Sequence, residues 1–139
     1  MCYPQTLFML KGILPMKAIL IDDDLDALNE LAALLSTYDD LKVVGKYENP
    51  YVAIEECELD QVDVIFLETV LPRVSGVSFA KHLKELKPTL SIVFITKYEE
   101  YALDAFNLHA LDYVLKPVKK NRLDNTIERL KARNLRHIN

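Results

Sequence analysis

The chain has 139 residues, with 17 basic and 21 acidic side chains, a net charge of −4 and only three glycines, Gly12, Gly45 and Gly76. That length suits one domain with an ordinary apolar core. Three scattered glycines cannot form a dinucleotide fingerprint or a phosphate loop, and the mild acidity argues against a surface given over wholly to nucleic acid.

The first stretch, with Leu7, Phe8, Met9, Leu10, Ile13 and Leu14, is broken by Lys11, Gly12 and Pro15. It is too short to span a membrane and lacks the basic start and cleavage site of a secretory signal. We read residues 1–16 as an N-terminal extension, 17–131 as the domain opening around Met16, and 132–139 as a tail or the start of a linker. Ala18 to Ile21 is a buried strand that stops at Asp22-Asp23-Asp24. Leu25, Leu28, Leu31, Ala32 and Leu35 then keep helical spacing to about Tyr38.

Leu41 to Tyr47 is a second strand, and Asn49-Pro50 starts a helix running to about Glu58, because Asn caps well and Pro suits the first turn. Val62 to Leu67 is a third strand ending at Glu68. A loop from Thr69 to Gly76 precedes a helix carrying Val77, Phe79, Ala80, Leu83 and Leu86, closed by Pro88. Ser91 to Thr96 is a fourth strand, Glu99 to about Asn107 a short helix, and Asp112 to Lys116 a fifth strand followed by Pro117. The last helix places Leu123, Ile127 and Leu130 on one face. Cys2 and Cys57 form no CxxC pair, and His82, His109 and His137 are scattered. This pattern argues against a zinc site and suits a reducing cytoplasm, with Cys57 packing as a small hydrophobe.

Strands alternating with helices imply an α/β fold with a parallel sheet covered on both faces, since parallel strands need crossover connections. Function in such folds gathers at the carboxyl ends of the strands. Those ends carry Asp22, Asp23 and Asp24, then Glu68, Thr96 and Lys116. Unit charges 4 Å apart repel by about 4 kcal/mol at an effective dielectric of 20, so clustered acids need a counter-charge, a cation or raised pKa values. Lys116 supplies one positive charge, and a hard, oxygen-preferring ion such as Mg²⁺ would supply the rest. Asp24 alone reads as a helix cap. Four strands ending in complementary groups read as a site.

The runs Ile19-Leu20-Ile21-Asp22-Asp23, Asp63-Val64-Ile65-Phe66-Leu67-Glu68-Thr69-Val70-Leu71-Pro72-Arg73-Val74-Ser75-Gly76, Phe94-Ile95-Thr96 and Tyr113-Val114-Leu115-Lys116-Pro117 resemble the receiver domain of bacterial two-component response regulators. The resemblance covers Lys17 to Lys131, and Tyr101 to Pro117 is similar to receivers joined to LytTR-type or related transcriptional outputs. It implies a doubly wound, flavodoxin-like sheet of five strands in the order 2-1-3-4-5 with five helices, and a signalling role rather than an enzymatic one. By the same resemblance Asp22, Asp23, Glu68 and the Val70 carbonyl would hold Mg²⁺, and Thr96 and Lys116 would grip a phosphoryl group. Tyr113 would be an aromatic switch, Lys116-Pro117 a cis peptide, and Gly76 a turn residue with positive φ.

The sequence departs from the family at the phosphoacceptor position, where Glu68 replaces aspartate. The added methylene is expected to carry the carboxylate about 1.5 Å outward, and misplacement near 1 Å can cost on the order of 100-fold in a positioned reaction. An outward Glu68 would accept from Thr96 and pair with Lys116, imitating an activated state with less charge than a phosphoryl group. Lys97, where the family has a small residue, would crowd the entrance or neutralise Glu68. The expected function is a cytoplasmic receiver that works without phosphorylation; an engineered phosphomimetic and an inert scaffold are the other readings of Glu68.

A small Mg²⁺-dependent phosphatase-like enzyme, using the Asp22–Asp24 spacing, is the alternative of another class. The expected partners are a sensor histidine kinase, an output or effector domain, and a second copy through the last helix with its neighbouring strand and helix. That surface includes Tyr98, Tyr101, Ala102 and Phe106; the alternative is core packing for Phe106 and ordinary surface for Tyr98. Residues to Leu115 hold nine basic and nineteen acidic groups, and the remainder eight basic and two acidic. We read the basic end as a solvated helix face, with DNA met only through a separate output domain and no membrane contact.

Overall fold

The structure is a computed structural model describing residues 15–138, with side chains described to Leu135. Five parallel strands form one sheet: β1 (Met16–Ile21), β2 (Leu41–Tyr47), β3 (Val64–Leu67), β6 (Ser91–Thr96) and β7 (Asp112–Leu115). Their order is β2-β1-β3-β6-β7, the 2-1-3-4-5 order expected of a doubly wound sheet. Between them lie α1 (Leu25–Leu35), α2 (Pro50–Glu56), α3 (Gly76–Leu86), α4 (Ala102–Asn107) and α5 (Lys120–Ile138). The loop expected from Thr69 to Gly76 contains a small antiparallel ribbon, β4 (Val70–Leu71) with β5 (Val74–Ser75), turned at Arg73 with φ 69°.

Strand periodicity divides the core. Ala18, Leu20, Val64, Phe66, Val93, Ile95 and Val114 face one side, with Leu28, Leu31 and Leu35 of α1 and Leu123, Ile127 and Leu130 of α5. The alternate residues Ile19, Ile21, Ile65, Leu67, Ile92 and Phe94 face Ala53 of α2, Phe79, Ala80 and Leu83 of α3, and Ala105 of α4. A strand buried on both faces must be apolar at every position, which is why these runs read as continuous rather than alternating. Their polar groups therefore collect where the strands end.

The helix starts follow side-chain chemistry. Asp24 accepts from the Asp26 and Ala27 amides at 3.0 and 3.3 Å, Asn49 from Tyr51 at 2.8 Å with Pro50 behind it, and Ser75 from Ser78 at 3.3 Å. Each satisfies a backbone donor that a helix end leaves bare.

α5 runs on to Ile138 through the residues expected as a tail or the start of a linker. Phe106 is exposed beside Leu103, as its place on the expected contact surface requires and against the alternative of core packing, because a six-residue helix needs only Ala105 to seat it. Residues 1–14, most of the expected N-terminal extension, lie outside the described residues.

Candidate functional site

Asp22 follows β1, Glu68 and Thr69 follow β3, Thr96 ends β6 and Lys116 follows β7, so parallel order brings them to one end of the sheet. Asp22, Glu68, Thr69 and Thr96 are buried, whereas Asp23 and Val70 are exposed. Lys116 Nζ sits between two acids, donating to Asp22 Oδ2 at 2.7 Å and Glu68 Oε1 at 3.0 Å. Asp22 Oδ1 accepts from the Asp24 amide at 2.9 Å. The Lys116–Pro117 peptide is cis.

Glu68 does not reach outward as expected. Its side chain folds back, and Oε2 accepts from the Thr69 amide at 2.7 Å, the Thr69 hydroxyl at 3.2 Å and the Val70 amide at 3.4 Å. The longer side chain can close such a ring onto the amides that follow it, and charge-assisted bonds of this kind are stronger than neutral ones. Thr96 Oγ1 meets Thr69 Oγ1 at 2.9 Å and accepts from the Tyr98 amide at 3.2 Å; among the described residues it makes no direct bond to Glu68. Lys97 does not neutralise Glu68 either: it is exposed, with Nζ over the Tyr98 ring, 5.4 Å from its centroid.

The charges share one cation unevenly. Burial lifts the Asp22 carboxyl above its ordinary range; bonds from Lys116 and Asp24 oppose the shift, and the neighbouring charge of Glu68 adds to it. Burial works against the Lys116 ammonium, but its bonds to Asp22 and Glu68 prevail and raise its pKa. Tyr113 packs on Phe94, and its hydroxyl donates to the Tyr98 carbonyl. Burial pushes the Tyr113 phenol up, opposed by the Tyr101 backbone and the Thr69 hydroxyl.

Gly76 is required for a reason other than the one expected. Its φ is not positive; instead, a Cβ there would lie 2.0 Å from the Glu68 carbonyl oxygen and 2.9 Å from Thr69 Cα. Only glycine lets the start of α3 approach the backbone that carries Glu68. Asp24, which an Asp-x-Asp phosphatase would use in chemistry, spends its side chain on capping α1.

Thr69 was missed at the sequence level, where attention stopped at the charged residue ending the strand. The parallel register carries the signal. Leu67 pairs with Phe94, and two residues beyond each partner stand Thr69 and Thr96.

A doubly wound sheet with acids, hydroxyls and a lysine at its carboxyl end has the arrangement expected of a receiver-like fold. The comparisons place the chain within it. Residues 18–128 match the response regulator receiver domain family. The transcriptional regulatory protein BtsR of Salmonella typhi is 40% identical over 116 residues, 83% of this chain and 48% of that protein. Protein MrkE of Klebsiella pneumoniae is 34% identical over 115 residues, covering 83% and 43%. The crystal structure of the response regulatory domain of MrkE superposes with a TM-score of 0.80 at 32% identity, covering 87% of this chain and 99% of that one.

The chain belongs to the response regulator receiver domain family. It spans about half the length of the curated relatives it matches. Receiver domains are typically signalling rather than catalytic modules; they interact with histidine kinases and output domains, and they generally bind Mg²⁺ at the phosphorylation site. No helix among the described residues is long and apolar enough to cross a membrane.

The expected metal set supplies hard oxygen donors of the type Mg²⁺ prefers. In this arrangement it does not fit the ion. Lys116 is seated between Asp22 and Glu68, the remaining Glu68 oxygen is turned to backbone amides, and Asp23 stands apart in solvent. Among the described residues no three His, Cys, Asp or Glu side chains converge as metal ligands.

Proposed function

We propose that this chain is a receiver whose signalling state is set without phosphotransfer, with Glu68 at the position where receivers accept a phosphoryl group. One observation carries the reading: the Glu68 side chain is buried with both oxygens engaged, Oε1 by Lys116 and Oε2 by the Thr69 amide. A nucleophilic carboxylate must approach an incoming phosphorus, and an oxygen held by a lysine or a backbone amide is directed away from that task. Thr96 and Lys116, in the family's phosphoryl-gripping roles, already have partners. The ammonium of Lys116 supplies the cation that two adjacent acids require, so this state stands without Mg²⁺.

In this reading the domain works in the cytoplasm, and its partners are a sensor histidine kinase, met by binding rather than phosphotransfer, or an output or effector domain. The names of the relatives as transcriptional regulators support a DNA-binding output as the recipient. The exposed apolar pair Leu103 and Phe106 on α4, beside β7 and the basic α5, supports that face as the contact for an output or a second copy.

Intact mass after incubation with acetyl phosphate and Mg²⁺ tests the proposal. The unmodified chain is expected to keep its mass, and Glu68→Asp is expected to gain one phosphoryl group. Equal phosphorylation of both would overturn it. A natural Glu68 and a phosphomimetic installed on an ordinary receiver share this chemistry; comparing the genomic codon with the residue separates them.

A further inference from the structure

The hydroxyl of Thr69 stands between the acid and the threonine that would otherwise face each other across the site. Thr69 is 2% exposed and Thr96 fully buried, so each hydroxyl must find its partners within the protein. The bonding order can be deduced from donor counts. A carboxylate only accepts, and a hydroxyl has one hydrogen to give. Thr69 Oγ1 donates to Glu68 Oε2, so in the 2.9 Å contact with Thr96 it is the acceptor and Thr96 the donor. Thr96 Oγ1 in turn accepts from the Tyr98 amide. Tyr98 then accepts the Tyr113 hydroxyl on its carbonyl. Every bond from Tyr98 to Glu68 points the same way, and aligned bonds polarise one another.

We propose that Thr69 is the coupling residue of this receiver, its hydroxyl joining the Glu68 carboxylate to Thr96 and, through the backbone of Tyr98, to the ring of Tyr113. The inference rests on the reading of Glu68 as the residue in the phosphoacceptor position. It adds how an acid that does not touch Thr96 governs it. The 97–101 segment and Tyr113 are held where they are because Thr69 is a hydroxyl residue; an aliphatic side chain of equal size would leave Thr96 facing methyl groups. Thr96 would then rotate to another acceptor, and the Tyr98 amide would lose its partner.

Amide and hydroxyl proton NMR on the full chain, with no phosphoryl donor present, tests this. Thr69→Val is expected to move the Tyr98 amide resonance upfield and to shift Thr96, whereas Thr69→Ser, which restores the hydroxyl but not the methyl, is expected to return both toward their original positions; Tyr113, which the Thr69 hydroxyl also meets directly, does not discriminate. A packing role would give the opposite ranking, with Val conservative and Ser disruptive, and would overturn the proposal. If Thr69→Val does not fold, the unmodified chain decides. Slowly exchanging Thr69 and Thr96 hydroxyl protons with a cross-peak between them support the coupling; fast exchange at both sites refutes it. Phosphorylation of Glu68 by acetyl phosphate would defeat the function reading alone, and absence of the hydroxyl signature in an unphosphorylated chain would defeat this inference alone.

Discussion

Asp22 and Asp112 are both buried aspartates bonded to a cation, yet their carboxyls are displaced in opposite directions. Asp112, at the start of β7, receives two bonds from Arg122 at 2.8 and 2.9 Å, one from the Thr126 hydroxyl at 2.7 Å and one from the Tyr113 amide at 2.8 Å. Arg129 stands 3.3 Å away as a second cation. Burial works to raise this carboxyl, but Arg122, Thr126 and Tyr113 overcome it and bring the pKa down to about 2. Asp22 shares a single lysine with Glu68 and stays above its ordinary range. One acid surrounded by donors is a joint between β7 and α5. Two acids dividing one cation form a site whose charges are not settled by the fold, and such perturbed groups collect where proteins act.

The contrast breaks most sharply at the joint. Asp112→Ala would strand the Arg122 guanidinium and the buried Thr126 hydroxyl, and removing one member of such a pair costs far more than the pair contributes. The expected loss is about 3 kcal/mol in urea unfolding, the largest effect at either aspartate. A loss below about 1 kcal/mol would mean that the cluster is solvated and the comparison misdrawn.

Acid titration sharpens the same contrast with a smaller effect. The folded pKa of Asp112, about 2, lies below the unfolded value of 3.8. Its contribution is therefore complete above the unfolded value and declines as pH falls from about 4 toward 2. The two values differ by nearly two units, or about 2 kcal/mol at 1.36 kcal/mol per unit. Urea midpoints measured from pH 5 to pH 2 should decline over that window, and Asp112→Asn should flatten the decline.

What could be read from the sequence, and what could not, divides along the same physical line. The continuous apolar runs Ala18–Ile21, Ile65–Leu67 and Ile92–Ile95 mark central strands because both faces of a doubly wound sheet are dry, and the strand ends follow from where each run stops. Residue positions at the site were therefore accessible, and the pairing of Lys116 with Glu68 followed from charge. Side-chain direction was not. Whether Glu68 extends toward Thr96 or folds onto the Thr69 amide depends on competition between hydrogen bonds of similar strength, which residue spacing does not encode. Gly76 shows the same limit: it was expected as a turn residue with positive φ, but what requires glycine there, contact with the Glu68 carbonyl, is a tertiary distance.

The smallest effect tests the site side of the comparison. A carboxyl whose folded pKa is raised contributes most to stability below its unfolded value and loses that contribution as pH rises through the folded value, so ionised Asp22 burdens the fold at neutral pH. Asn at this position keeps an oxygen for the Asp24 amide and removes the charge that competes with Glu68 for Lys116. Asp22→Asn is therefore expected to stabilise the chain by up to about 1 kcal/mol at pH 7, with the gain vanishing near pH 3 where Asp22 is protonated in both states. Paired urea curves at the two pH values measure it. A loss at pH 7 comparable to that of Asp112→Ala would show that Lys116 serves Asp22 as fully as Arg122 serves Asp112, and the two aspartates would then be joints of one kind.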